Sequence, residues 1–209
     1  LYWRLEEPQL KCLWDMERRG ILLDSELLSS KNELLTKAMN EAAGAIASMV
    51  GRPVNPNSTK QVKALLFGEL GLHPRKKTKT GEPSCDEESL RYFAYQEGVE
   101  VCKLLVNYRK AAKVRGTYVE GMLKRLGPDG RIHTSYSPIK VTGRLGSSSP
   151  NMQNVPRPGN DPYHIRAAFV AEPGCKLIIA DYGQLEMRLM AEASGDENMV
   201  SGICAGKDM

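Results

Sequence analysis

The sequence predicts an α+β chain, helical to about residue 127 and then opening into the strands and helices of an antiparallel-sheet domain. Three observations carry that prediction. Apolar residues recur at helical spacing through the first part of the chain. The cluster Gly127-Pro128-Asp129-Gly130 then marks a turn where the character changes. Beyond it, residues 131–136 alternate as a strand does, and residues 176–180 are a short apolar run entered through Pro173-Gly174.

Each element has its own justification. Leu10, Leu13 and Trp14 form an apolar stripe, and Gly20 stops that helix at the usual C-terminal position. Asp24 caps a long second helix carrying Leu27, Leu28, Leu34, Leu35, Ala38, Met39, Ala42, Ile46 and Met49 as a packing seam, ended by Gly51. After a turn-rich link, Ser58 caps a short helix to about Glu69. Residues 73–84 hold Arg75, Lys76, Lys77 and Lys79 among Pro, Thr and Gly, and read as an exposed basic loop. Asp86 caps another helix, and a long one is expected from about Val99 to Leu126. In the last third, residues 176–180 are expected to form a strand, and helical spacing returns at Leu185, Leu189 and Met190.

With 209 residues, 41% hydrophobic and 26% charged, the chain can bury a sizeable core and falls outside the disordered and fibrous classes. No apolar run approaches the roughly 18 residues a membrane span needs. The chain opens Leu-Tyr-Trp without an initiator Met and stops at Gly206-Lys207-Asp208-Met209, which reads as a segment of something longer. The net charge of +4 is unevenly spread: between Lys103 and Arg144 stand ten Lys/Arg against two Asp/Glu. A surplus of that kind fits a polyanion such as nucleic acid, or a solvated helix face. Five cysteines without a CxxC pair fit reduced intracellular thiols rather than a zinc site.

Two places could carry chemistry. Asp181 follows the apolar run at 176–180 and precedes a helix, a placement suited to a metal ligand and equally to a helix cap. Glu186, five residues on, is an ordinary acid for a first helical turn. The stretch from Thr142 to Pro156 is rich in Gly and Ser, yet carries Arg144 and the amides Asn151, Gln153 and Asn154. Such groups can hydrogen-bond minor-groove acceptors without reading sequence, or simply line a polar loop.

Four segments in order resemble family A (Pol I-like) DNA polymerases. Asn55-Pro56-Asn57-Ser58-Thr59-Lys60-Gln61-Val62 is similar to the family's thumb, and Lys76-Lys77-Thr78-Lys79-Thr80-Gly81 to the thumb tip. Thr142 to Pro156 resembles the segment laid along the primer–template minor groove. Asp181-Tyr182-Gly183-Gln184-Leu185-Glu186-Met187-Arg188 is similar to motif A of the palm, and Ser194 to Asn198 with Gly206-Lys207-Asp208 continue the match.

The resemblance implies a polymerase right hand: a helical thumb over residues 1–127 and the start of the palm over 128–209. It implies template-directed DNA synthesis by a longer protein, which is intracellular, DNA-associated and monomeric, with primer–template DNA and deoxynucleoside triphosphates as partners. Asp181, with the Tyr182 carbonyl, would be a ligand of two magnesium ions, which activate the primer 3′-hydroxyl and neutralise the leaving pyrophosphate. Glu186, beside Gln184, would crowd the position of a ribose 2′-hydroxyl. Arg144, Gln153 and Asn154 would track the minor groove, with Asn151 bracing them. Lys113, Arg115, Thr117 and Tyr118 match a helix region that, with Asn57, Ser58, Lys76, Lys77 and Lys79, would hold DNA. The sequence departs from the family at Ser137-Pro138-Ile139-Lys140-Val141, where Asn, Gln and Thr are usual. The alternatives are a non-catalytic DNA-binding module derived from such a thumb and palm, and a metal nuclease using Asp181 and Glu186.

Overall fold

Four short polar side chains decide where helices start. Asp24, Ser58, Asp86 and Asp196 each accept the backbone N–H three residues on, from Leu27, Gln61, Ser89 and Met199. The computed structural model describes residues 2–206, so Lys207 and Asp208, the end of the resemblance, lie outside the described residues. The chain divides into two compact units, residues 1–170 and 171–209.

The first unit holds α1 (Glu7–Arg19), β1 (Ile21–Leu22), α2 (Ser25–Val50), α3 (Thr59–Lys63), α4 (Glu87–Tyr95), α5 (Glu100–Val114), α6 (Gly121–Leu123), β2 (Arg131–Ile132), β3 (Ser135–Ser137) and β4 (Gly146–Ser148). The long helices α2 and α5 run antiparallel, because the end of α2 shares a core with the start of α5. One core joins Ile46 to Val62, Leu65, Leu90, Phe93 and Leu105. The other joins Leu28 and Leu35 to Val114, Val119, Met122 and Ile132, and reaches Val155 and Ile165. Burial in the first core pushes the Cys102 thiol up to about 12, so it stays protonated and inert.

Several expectations are refined by packing. On α1 only Leu13 is buried, while Leu10 and Trp14 lie exposed. The long helix expected from Val99 to Leu126 is interrupted: α5 widens at Arg115–Glu120 into a π-helical turn before α6. The expected strand at 131–136 is two strands. Ile132 of β2 pairs with Ile21 of β1, whereas β3 pairs antiparallel with β4, Ser135 opposite Ser148. Between them the Thr134 hydroxyl contacts the Ser148 and Pro150 carbonyls at 3.0 and 2.6 Å. The expected basic loop is a small hairpin, closed by Ser84 N–H to the Lys76 carbonyl and Thr78 N–H to the Glu82 carbonyl.

The second unit contains α7 (Leu185–Ser194) and α8 (Glu197–Cys204). The strand expected at 176–180 is absent. Those residues are irregular, with Ile178 91% and Ile179 90% exposed. A lone apolar strand cannot satisfy its backbone or cover its side chains, and no described strand pairs with it.

Candidate nucleic-acid interface and an exposed carboxylate

Residues 142–156 are held in shape largely by their own side chains. Ser147, on β4, is the hub: its hydroxyl donates to Asn151 Oδ1 at 3.2 Å and accepts the N–H groups of Met152 and Gln153 at 3.1 and 3.3 Å. Gln153 closes the loop, its Oε1 accepting the Ser147 N–H and its Nε2 donating to the Leu145 carbonyl, both at 3.0 Å. The Asn151 side-chain oxygen accepts the Ser147 hydroxyl and the Gln153 N–H, the latter at 3.0 Å. Gln153, expected to face DNA, spends both ends of its amide inside the chain. The Asn154 side chain is exposed and makes no hydrogen bond among the described residues, while its carbonyl accepts the Tyr118 hydroxyl at 2.5 Å. Arg144 is exposed ahead of β4.

The face of α5 and the π-helical turn beyond it divides the expected phosphate-binding residues. Lys113 and Thr117 are exposed. Arg115 instead donates through Nε to Asn32 Oδ1 at 3.0 Å and pairs with Glu120 at 2.7 Å. Tyr118 is buried, its hydroxyl turned onto the Asn154 carbonyl. Arg115 through Nε and Nη2, and Tyr118 through its hydroxyl, thus tie parts of the fold together. Lys113, Tyr118 and Asn154 border a cavity of about 460 Å³ shared with Arg91, Arg109 and Lys110. Its wall also holds Glu87, which pairs with Arg91 at 3.3 Å, and Arg109 donates to the Pro56 and Cys85 carbonyls, while Lys110 and Lys113 are exposed cations at its edge.

The hairpin tip is likewise partly self-neutralised. Lys76 Nζ lies 3.0 Å from Glu88 and 3.3 Å from Asp86, and these carboxylates raise its pKa. The Ser89 backbone N–H holds the Asp86 carboxyl down to about 2, so this acid stays charged beside Lys76. Arg75 stacks on the Tyr92 ring at 3.7 Å. Lys77 and Lys79 are exposed and form no ion pair among the described residues. Ser58 is occupied in capping α3, and the Asn57 side chain donates to the Tyr108 hydroxyl at 3.4 Å.

Asp181 is exposed and lies three residues before Gln184, the residue at the N-cap position of α7. Gln184 adopts the left-handed conformation at φ 55°, and no side chain caps α7. Asp181 is therefore not the cap of that helix. Tyr182 is exposed, Glu186 stands in the first turn of α7, and Arg188 Nε donates to the Gly183 carbonyl at 2.9 Å. Among the described residues no three His, Cys, Asp or Glu gather to hold a metal ion.

Sequence reading missed Ser147 and Arg166. Ser147 looks like one of three equivalent serines. Arg166 is matched to backbone carbonyls ten and eleven residues upstream, and no spacing rule marks such a partner.

Residues 25–209 match the model of DNA polymerase family A, and the chain belongs to that family. It is 38% identical to DNA polymerase I of Chloroflexus aurantiacus, with 100% of this chain and 23% of that protein covered. It is 39% identical to the thermostable DNA polymerase I of Thermus filiformis, with 100% and 25% covered. The chain thus spans about a quarter of these relatives, 23% and 25%. Among solved structures it is similar to the POL domain of Pol1 from M. smegmatis in complex with DNA primer-template and dNTP. There the TM-score is 0.88 at 36% identity, over 98% of this chain and 36% of that one. No helix among the described residues is long and apolar enough to cross a membrane.

Proposed function

We propose that this chain supplies primer–template binding and one catalytic carboxylate to a DNA-directed DNA polymerase, which adds deoxynucleotides to a primer 3′-hydroxyl. The observation that carries the reading is the family match over residues 25–209, because one continuous stretch includes the basic helix face, the segment at 142–156 and Asp181. Residues 1–127 act as the thumb and 128–209 begin the palm, a functional division independent of the compact units. The protein works inside the cell on DNA, as a monomer.

In this reading Lys113, Lys77 and Lys79 lie along the sugar–phosphate backbone, and Arg144 with Asn154 meets the minor groove. Asp181 and the Tyr182 carbonyl are hard oxygen donors that suit magnesium, although they make only part of a ligand set. Bound magnesium supplies charge neutralisation for phosphoryl transfer. Glu186 fills the space a ribose 2′-hydroxyl needs, with Gln184 beside it.

Titrating the affinity of this chain for two unrelated primer–template duplexes against salt tests the binding half. A steep salt dependence with little preference between duplexes is expected, since each neutralised phosphate releases counterions. A flat response, or a strong preference for one duplex, overturns it. For the nucleotide half, Glu186→Ala in a full-length polymerase containing this chain is expected to lower the ratio of kcat/KM for deoxy- over ribonucleotides. An unchanged ratio leaves Glu186 as an ordinary helix-start acid.

A further inference from the structure

Asn154, Val155 and Pro156 are consecutive, and each carbonyl accepts a hydrogen bond from a distant side chain. The Tyr118 hydroxyl donates to Asn154 O at 2.5 Å. Arg166 Nη2 donates to Val155 O at 3.1 Å, and its Nε to Pro156 O at 2.7 Å. Arg166 is itself aimed by Asp161, only 2% exposed, whose carboxylate accepts the N–H groups of Tyr163, Ile165 and Arg166. Val155 and Ile165 are buried in the same core, so the two strips of backbone are clamped by apolar contact as well.

We infer that Arg166 is a positioning residue for DNA binding: its guanidinium fork, with Tyr118, fixes the backbone that presents the Asn154 amide to the duplex. This rests on the proposed primer–template function. Asn154 is the amide of the segment that makes no side-chain hydrogen bond among the described residues, while Gln153 uses both ends of its amide and Asn151 its oxygen in bracing. With the three carbonyls turned inward, Asn154 meets the minor groove at a set height and angle. Both donor groups of Arg166 that face the segment already hold carbonyls, so it acts through the segment and not on a phosphate.

The test compares this chain with Arg166→Ala, Arg166→Lys, Asn154→Ala and the Arg166→Ala/Asn154→Ala pair, binding a fluorescent primer–template at several salt concentrations. Arg166→Ala is expected to lose about tenfold in affinity with an unchanged salt slope, because no phosphate contact goes. The double variant is expected to lose no more than the worse single variant, since one residue works through the other. Arg166→Lys should not restore binding, because one ammonium cannot reproduce a two-carbonyl fork. A smaller salt slope rescued by Lys, or additive losses in the pair, overturns the inference. Hydrogen exchange reads it without DNA: Arg166→Ala should speed exchange at the Met152 and Gln153 amides and leave α4 unchanged. Unaltered exchange at those two amides overturns it as well. If the unmodified chain shows no salt-dependent affinity for duplex, the proposed function fails, and exchange alone decides whether Arg166 orders the segment.

Discussion

The segment at 142–156 and the segment at 171–184 both carry candidate functional residues, and they are built in opposite ways. In the first, a serine hub, two amides, a buried tyrosine and an arginine fork hold the backbone at Leu145, Ser147 and residues 152–156 from within residues 1–170. In the second, Asp181 follows a run with Ile178 and Ile179 about nine-tenths exposed, 91% and 90%, and no described strand beside it. A surface that grips a duplex can be specified by contacts close at hand. A carboxylate at the end of a strand is fixed only when the strand has neighbours, and among the described residues this run has none.

Four measurements would break or sharpen that contrast. The largest effect is expected from Asp181→Asn in a full-length polymerase containing this chain. Primer extension should fall by about a thousandfold, while affinity for primer–template holds. Retained extension would make Asp181 a surface acid like any other. Next, Phe93→Ala should cost about 3–5 kcal/mol in urea unfolding, because Phe93 is fully buried in the first core. Ile178→Ser in this chain should stay within about 0.5 kcal/mol. Similar costs would show that the apolar run is covered in solution.

A smaller effect separates two cations that composition treats alike. Lys113→Ala should lower the salt slope of DNA binding by about one. Arg115→Ala should leave the slope alone and weaken the fold, since Arg115 ties Asn32 to Glu120. Equal changes in slope would put Arg115 on the phosphates after all. The smallest effect is at His133, whose ring contacts the Glu17 carbonyl at 2.8 Å and Asp129 at 3.2 Å. The Glu17 carbonyl first, then Asp129, raises its pKa above the ordinary 6.5. The stabilisation is therefore complete below that ordinary value and fades as pH rises through the raised one. Melting temperature should decline slightly across that window, and His133→Gln should abolish the decline. An identical profile in the variant would remove His133 from the account.

Most of the helical architecture was legible in the sequence because its causes are local. Asp24, Ser58 and Asp86 cap helices where their short polar side chains predict, and of the apolar seam on α2 Leu28, Leu35, Ala42 and Ile46 are buried while Leu34 and Met49 stay exposed. The break at Arg115–Glu120 had no such local cause. It follows from packing Tyr118 and Val119 into the second core while Arg115 reaches Asn32 and Glu120. The residue types of the minor-groove segment were equally visible, but not their division of labour.

By itself the sequence determined the helix starts at Asp24, Ser58 and Asp86, the basic bias between Lys103 and Arg144, the family and the candidate residues, since capping, periodicity and motif order are written along the chain. Tertiary structure alone decided which of those residues remain available. Gln153, Arg115, Tyr118 and Lys76 spend their polar groups on partners within the fold, whereas Asn154, Lys113, Lys77 and Lys79 stay exposed. The physical reason is that a hydrogen-bonding group has few partners to give, and burial and proximity in three dimensions assign them first.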